Sequence, residues 1–141
     1  MSVNTPPEVK ISIVLRWRDM DMLGHLNQAV YHELLEEGRG ALMTQLAQRR
    51  TGDGHVHHTY VLARVELDYR HEVRKDHGTV DVVARVGRVG TKSVTMEHEV
   101  VLPDGTVAAE GRTVMVGWDA QGRRARELSP DERAALGAAP A

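Results

Sequence analysis

Residues 16–31 read Arg-Trp-Arg-Asp-Met-Asp-Met-Leu-Gly-His-Leu-Asn-Gln-Ala-Val-Tyr. Two acids, Asp19 and Asp21, fall in a short link between an apolar strand and an amphipathic helix. Gly24 allows a sharp turn there, because it lacks the Cβ that restricts φ. Asn27 stands where a helix N-cap belongs. A carboxylate is thereby brought close to a helix N-terminus, whose free N–H groups bind developing negative charge. An acid or base beside a ready oxyanion site is the minimum apparatus for attack on a carbonyl.

Other residues compete poorly for that role. The only serines are Ser2, Ser12, Ser93 and Ser129, and none lies in a G-x-S-x-G elbow. There is no cysteine, so neither a disulfide nor thiol catalysis is available. Asp19 points away from Asp21 if the segment is extended, and is expected to pair with a nearby arginine or cap the turn. His25 and Asn27 either orient water or substrate or serve only the start of the helix, with Asn27 as its cap. His55, His57 and His58 invite a metal reading, but their loop is glycine-rich and no carboxylate motif or H-E-x-x-H helix accompanies them. They are taken as exposed loop histidines.

The elements that must hold this turn are legible. Ile11, Ile13, Leu15 and Trp17 alternate with Ser12, Arg16 and Arg18, which is strand periodicity. From Gln28 to Gln48, Tyr31, Leu34, Leu35, Gly38, Leu42 and Leu46 recur at spacings of three and four and mark one helical face. Gly38 is costly inside a helix unless a close approach to the sheet requires it. Four strands follow, carried by residues 61–69, 80–86, 94–102 and 107–115. Pro103-Asp104-Gly105 marks a turn. Ser129-Pro130-Asp131-Glu132 opens a short terminal helix, about 130–136. The order of strand, long helix and four strands predicts an α+β domain, its helix across one face of a wrapped five-stranded antiparallel sheet.

The 141 residues suit one domain, 1–141, with a core of about 9–128. The formal charge of −2 offers no footprint for nucleic acid. No apolar run reaches the ~20 residues needed to span a bilayer, and the N-terminus lacks signal-peptide regions. A cytoplasmic protein is expected. Phenylalanine is absent, so Val, Leu, Ile, Ala and Met must build the core.

The chain resembles the hotdog-fold acyl-CoA thioesterases of the 4-hydroxybenzoyl-CoA thioesterase-like group. The resemblance is carried by Arg18-Asp19-Met20-Asp21 with Gly24, His25, Asn27 and Tyr31. Glu36-Glu37-Gly38-Arg39, Asp68-Tyr69-Arg70, Gly90-Thr91-Lys92-Ser93-Val94, and Gly111-Arg112-Thr113 before Trp118-Asp119 extend it in the same order. It implies that Asp21, the second acid of the D-x-D turn, is the catalytic carboxylate; the residues at the helix start add His25, Asn27 and Gln28 as candidates to assist it. A related hotdog branch uses a helical glutamate, which makes Glu36 a secondary candidate; Glu37 is expected to be solvated. The resemblance also implies a homodimer with continuous sheets and sites at the subunit interface, often paired again into a tetramer. After Asp68-Tyr69-Arg70 the chain departs from the family, with His71-Glu72 and Asp76-His77-Gly78 where a proline and a Gly-Asp turn often stand.

The implied chemistry is reasonable for these residues. A thiol leaving group resembling cysteine has a pKa of about 8.5 and departs without a strong acid. Asp21 would attack the carbonyl or activate water, and backbone N–H groups near Asn27 and Gln28 would hold the oxyanion. No metal or redox cofactor is needed. Coenzyme A carries phosphates, which arginine binds bidentately. Arg88 and Lys92 flank the turn at Gly90, and Arg123, Arg124 and Arg126 cluster near the end. The position of that turn in similar proteins favours Arg88 and Lys92, with Ser93 and Tyr31 as further substrate contacts. The expected substrate is an acyl-CoA. The alternatives are a non-catalytic acyl-thioester binding protein and a thioesterase acting on acyl carrier protein.

Overall fold

The computed structural model describes residues 6–49 and 59–137. His55, His57 and His58 lie outside the described residues. The chain runs β1 (Glu8–Val14), α1 (Gln28–Gln48), β2 (Thr59–Tyr69), β3 (Thr79–Val89), β4 (Ser93–Val101), β5 (Val107–Asp119), β6 (Arg124–Ala125) and α2 (Pro130–Ala135). The sheet is antiparallel throughout, in the order β1-β3-β4-β5-β2. The two-residue β6 adds a sixth strand to the five expected, pairing Arg124 with Asp119 and Ala125 with Trp118. One long helix across a curled antiparallel sheet is the hotdog architecture that the sequence led us to expect.

The core follows the pattern of apolar side chains. Tyr31, Leu34, Leu35, Gly38, Leu42 and Leu46 are all buried on one side of α1, and α1 packs over β1, β3 and β4. Gly38 is the point of closest approach. A Cβ built there would stand 2.9 Å from Val82 Cγ1 and 3.6 Å from the Ala84 Cβ. The sheet can therefore lie nearer the helix axis than any side chain at this position would permit. Glu36 and Glu37 both face solvent.

The first strand ends earlier than its alternation suggests. Trp17–Asp19 form a turn of 3-10 helix instead of continuing β1. The Asp19 carboxylate causes this. It accepts the Arg16 backbone N–H at 2.9 Å and the Arg16 guanidinium at 2.8 Å, folding the chain back three residues later. Trp17 is left 82% exposed.

On the outer face, the strand register sets Glu8, Arg85, Glu97, Arg112 and Glu66 side by side across all five long strands. Ion pairs join Arg85 to Glu8 and Glu97, and Arg112 to Glu66. Strands β1 and β2 form the two edges of this sheet.

Candidate active site

The link from β1 to α1 is built to hold Asp21. The Gly24 N–H donates to the Asp21 carbonyl at 3.0 Å, and the Asp21 N–H donates to the His25 carbonyl at 3.0 Å. This tight loop needs a left-handed residue, and Gly24 supplies it at φ +83°. The Leu26 N–H donates to the Val73 carbonyl at 2.7 Å. The segment after β2 is thereby pulled against the turn, and a bridge between His25 and Arg74 extends the contact.

A cleft of about 490 Å³ opens beside the turn. Asp21, His25, Gln28 and Tyr31 line it from one side; Tyr69, Arg70, His71 and Glu72 line it from the other. The Asp21 carboxylate is partly exposed, and its Oδ1 accepts the Leu23 N–H at 2.9 Å. Nδ1 of His25 lies 3.9 Å from the same oxygen. Tyr31 and Tyr69 meet edge to face, ring centres 4.9 Å apart. Burial, and then Tyr69, push the Tyr31 hydroxyl above its ordinary pKa, so it stays neutral. The cleft thus joins the open Asp21 carboxylate to an aromatic wall.

The two acids of the turn have separate surroundings. Asp19 is buried, and its hydrogen bonds to Arg16 hold its carboxyl below the usual range despite that burial. Asp21 faces the cleft. Asn27 is committed to the fold. Its N–H donates to the Asp19 carbonyl at 2.9 Å, and its side chain accepts the Ala29 N–H at 2.9 Å. Among the described residues the Gln28 N–H, first of the helix, has no such partner. Of the two amides expected to meet an oxyanion, the one at Gln28 is free to do so.

The predicted phosphate contacts are elsewhere. Ser93 pairs with Val116, which pairs with Val61, whereas Tyr69 at the cleft pairs with Ala109. Arg88, Lys92 and Ser93 therefore sit at the other end of the sheet, roughly 27 Å away at ~3.4 Å per strand residue. Of the arginines near the C-terminus, Arg126 turns inward. Its guanidinium holds the buried Glu132 at 2.6 and 3.0 Å. Of the far wall of the cleft, Tyr69 and Arg70 belong to the Asp68-Tyr69-Arg70 stretch that carries the resemblance, with no site role expected for them. The departure at His71-Glu72 marked that loop as different; its contact with the Asp21 turn depends on backbone hydrogen bonds. Among the described residues, no group of three or more His, Asp or Glu is arranged to hold a metal ion.

Residues 15–136 match the model of the thioesterase-like superfamily. Similar solved structures include a thioesterase from Thermus thermophilus complexed with coenzyme A and Zn, 32% identical with a TM-score of 0.74, covering 94% of this chain and 98% of that one. The PA2801 protein from Pseudomonas aeruginosa is 29% identical with a TM-score of 0.76, covering 90% of this chain and 96% of that one. A protein described as a predicted thioesterase from Bacillus stearothermophilus is 26% identical with a TM-score of 0.79, covering 92% and 93%. A search of curated proteins returned no match.

Proposed function

Because this chain belongs to the thioesterase-like superfamily, matching it over residues 15–136, we propose that it hydrolyses acyl-CoA thioesters to a free acid and coenzyme A. The observation that carries this is the Asp21 carboxylate, open to an aromatic-walled cleft at the start of α1. Asp21 acts as nucleophile or general base on the thioester carbonyl. The Gln28 N–H, reinforced by the helix dipole, receives the charge that develops on the carbonyl oxygen. His25 orients water or the carboxylate from beside it. The coenzyme A bound by the Thermus thermophilus relative supports a CoA ester as substrate.

The position of the cations supports a homodimer. A two-fold axis pairing the free edges of β2 runs the strands antiparallel. The partner's Arg88–Lys92 turn then comes to the cleft end of this chain, a few strand spacings of ~4.8 Å from Tyr69. Those cations and Ser93 would meet the coenzyme phosphates, with the acyl group against Tyr31.

The test is Asp21→Asn beside Asp19→Asn, each assayed by thiol release with melting followed in parallel. Asp21→Asn keeps the shape and removes the basicity, so turnover should fall by at least about 10²-fold. Asp19→Asn should cost stability far more than turnover. A folded Asp21→Asn protein with parental turnover refutes the assignment. A parent that binds acyl-CoA and releases no thiol is a binding protein.

A further inference from the structure

The turn between β3 and β4 is held from outside its own hairpin at three successive carbonyls. Nη1 of Arg133, on α2, donates to the Gly90 carbonyl at 2.6 Å. The Leu128 N–H, in the strap leading to α2, donates to the Thr91 carbonyl at 2.9 Å. The Gly117 N–H of β5 donates to the Lys92 carbonyl at 2.8 Å. With its carbonyls turned toward the body of the protein, the turn leaves the Lys92 side chain in solvent.

The helix that supplies Arg133 is itself anchored. Glu132, 1% exposed, accepts both arms of Arg126 and the Ser129 N–H, the last at 2.7 Å. The hydroxyl of Tyr60, near the start of β2, also reaches Glu132. The Ser129 Oγ in turn accepts the Glu132 N–H at 3.1 Å and caps α2. So short a helix would not persist alone in water. This network fixes α2 beside the turn, and with it the reach of Arg133.

We infer that Arg133 is a positioning residue for the nucleotide end of the substrate. It presets the turn at residues 90–92 so that Arg88 and Lys92 meet the coenzyme phosphates without first having to order the backbone. This rests on the acyl-CoA proposal above. A preset loop lowers the ordering cost of binding and leaves the reacting carbonyl untouched, so the effect should appear in KM and not in kcat.

Arg133→Met removes the donor and keeps the apolar stem; Arg133→Lys restores a donor. Each is compared with the parent on an acyl-CoA and on the same acyl group carried by pantetheine, which lacks the nucleotide. Melting is recorded for each. The expected result for Arg133→Met is a KM on the CoA ester raised about tenfold with kcat preserved, an unchanged KM on the pantetheine ester, and recovery in Arg133→Lys. Should Arg133→Met fail to fold, Arg133→Gln serves the same comparison. Unchanged KM values, or equal rises on both esters, overturn the inference while leaving hydrolysis intact. A parent with no preference for the CoA ester also overturns it. A parent that cleaves neither ester overturns the proposed function and this inference with it.

Discussion

Replacing His98 with glutamine should abolish a pH dependence of stability that the fold builds into its core. His98 stands on the inner face of β4 and is 1% exposed. Nε2 shares a 2.9 Å hydrogen bond with Thr113 Oγ1, and Nδ1 is buried without a partner among the described residues. Burial, and then the charges of Arg39 and Arg85, push the imidazole from its ordinary 6.5 down to about 4. The folded protein therefore keeps His98 neutral where the unfolded chain already binds a proton. The stability this confers is complete above pH ~6.5 and is lost as the pH falls toward ~4. At ~1.4 kcal/mol per pH unit, the whole gap is worth roughly 3 kcal/mol. His98→Gln keeps a polar group for Thr113 and does not titrate. Urea unfolding of both proteins at fixed concentration, from about pH 7.5 to about 4.5, isolates the effect, since the other titrating groups are common to both. The parent's stability relative to the variant should decline by about 2–3 kcal/mol over that range. A constant difference between the two refutes a neutral buried imidazole.

Two further substitutions test the packing. Gly38→Ala sets a Cβ against Val82 Cγ1 at 2.9 Å. Overpacking of ~1–3 kcal/mol should outweigh a helix-propensity gain of ~0.5–1, for a net loss of about 1–2 kcal/mol by denaturant unfolding. Glu132→Ala leaves the half-buried Arg126 guanidinium without its carboxylate, which should cost ~3–5 kcal/mol and lower the melting temperature by roughly 10 °C. Burial alone would raise the Glu132 pKa, but Arg126, Tyr60 and the Ser129 N–H outweigh it and hold the group at about 2. The stabilisation from Glu132 should accordingly be complete above pH ~4.5 and fade only as the pH drops toward ~2.

Local rules made the main elements legible in the sequence. The Asn27 cap and the spacing of three and four among Tyr31, Leu34, Leu35 and Leu42 define α1, and alternation defines the long strands. Gly38 signalled a close approach without naming Val82 as its neighbour. Asp19 pairs with an arginine as expected, but alternation does not show that Arg16 is the partner or that the bond folds Trp17–Asp19 into a 3-10 turn. Tyr60 and Glu132 meet across 72 positions of chain, a contact no local pattern encodes. The acid of the candidate site stood out because its turn is short and glycine-bounded. The engagement of the Asn27 N–H by Asp19 did not, since it depends on the path of the turn. Arg88 and Lys92 were recognisable as cations beside a turn. Only the strand directions reveal that this turn and the cleft occupy opposite ends of the sheet.

That separation has a genetic consequence. In the proposed dimer joined through β2, each site would draw its carboxylate from one chain and its phosphate contacts from the other. A chain carrying Asp21→Asn and a chain carrying Lys92→Ala would each form impaired homodimers. Coexpressed, they would assemble hybrids in which one site combines an intact Asp21 with an intact Lys92, while the other carries both lesions. Two defective alleles would then complement, and activity recovered from purified hybrids would exceed that of either parent. If each chain held a complete site of its own, no hybrid would contain an undamaged one.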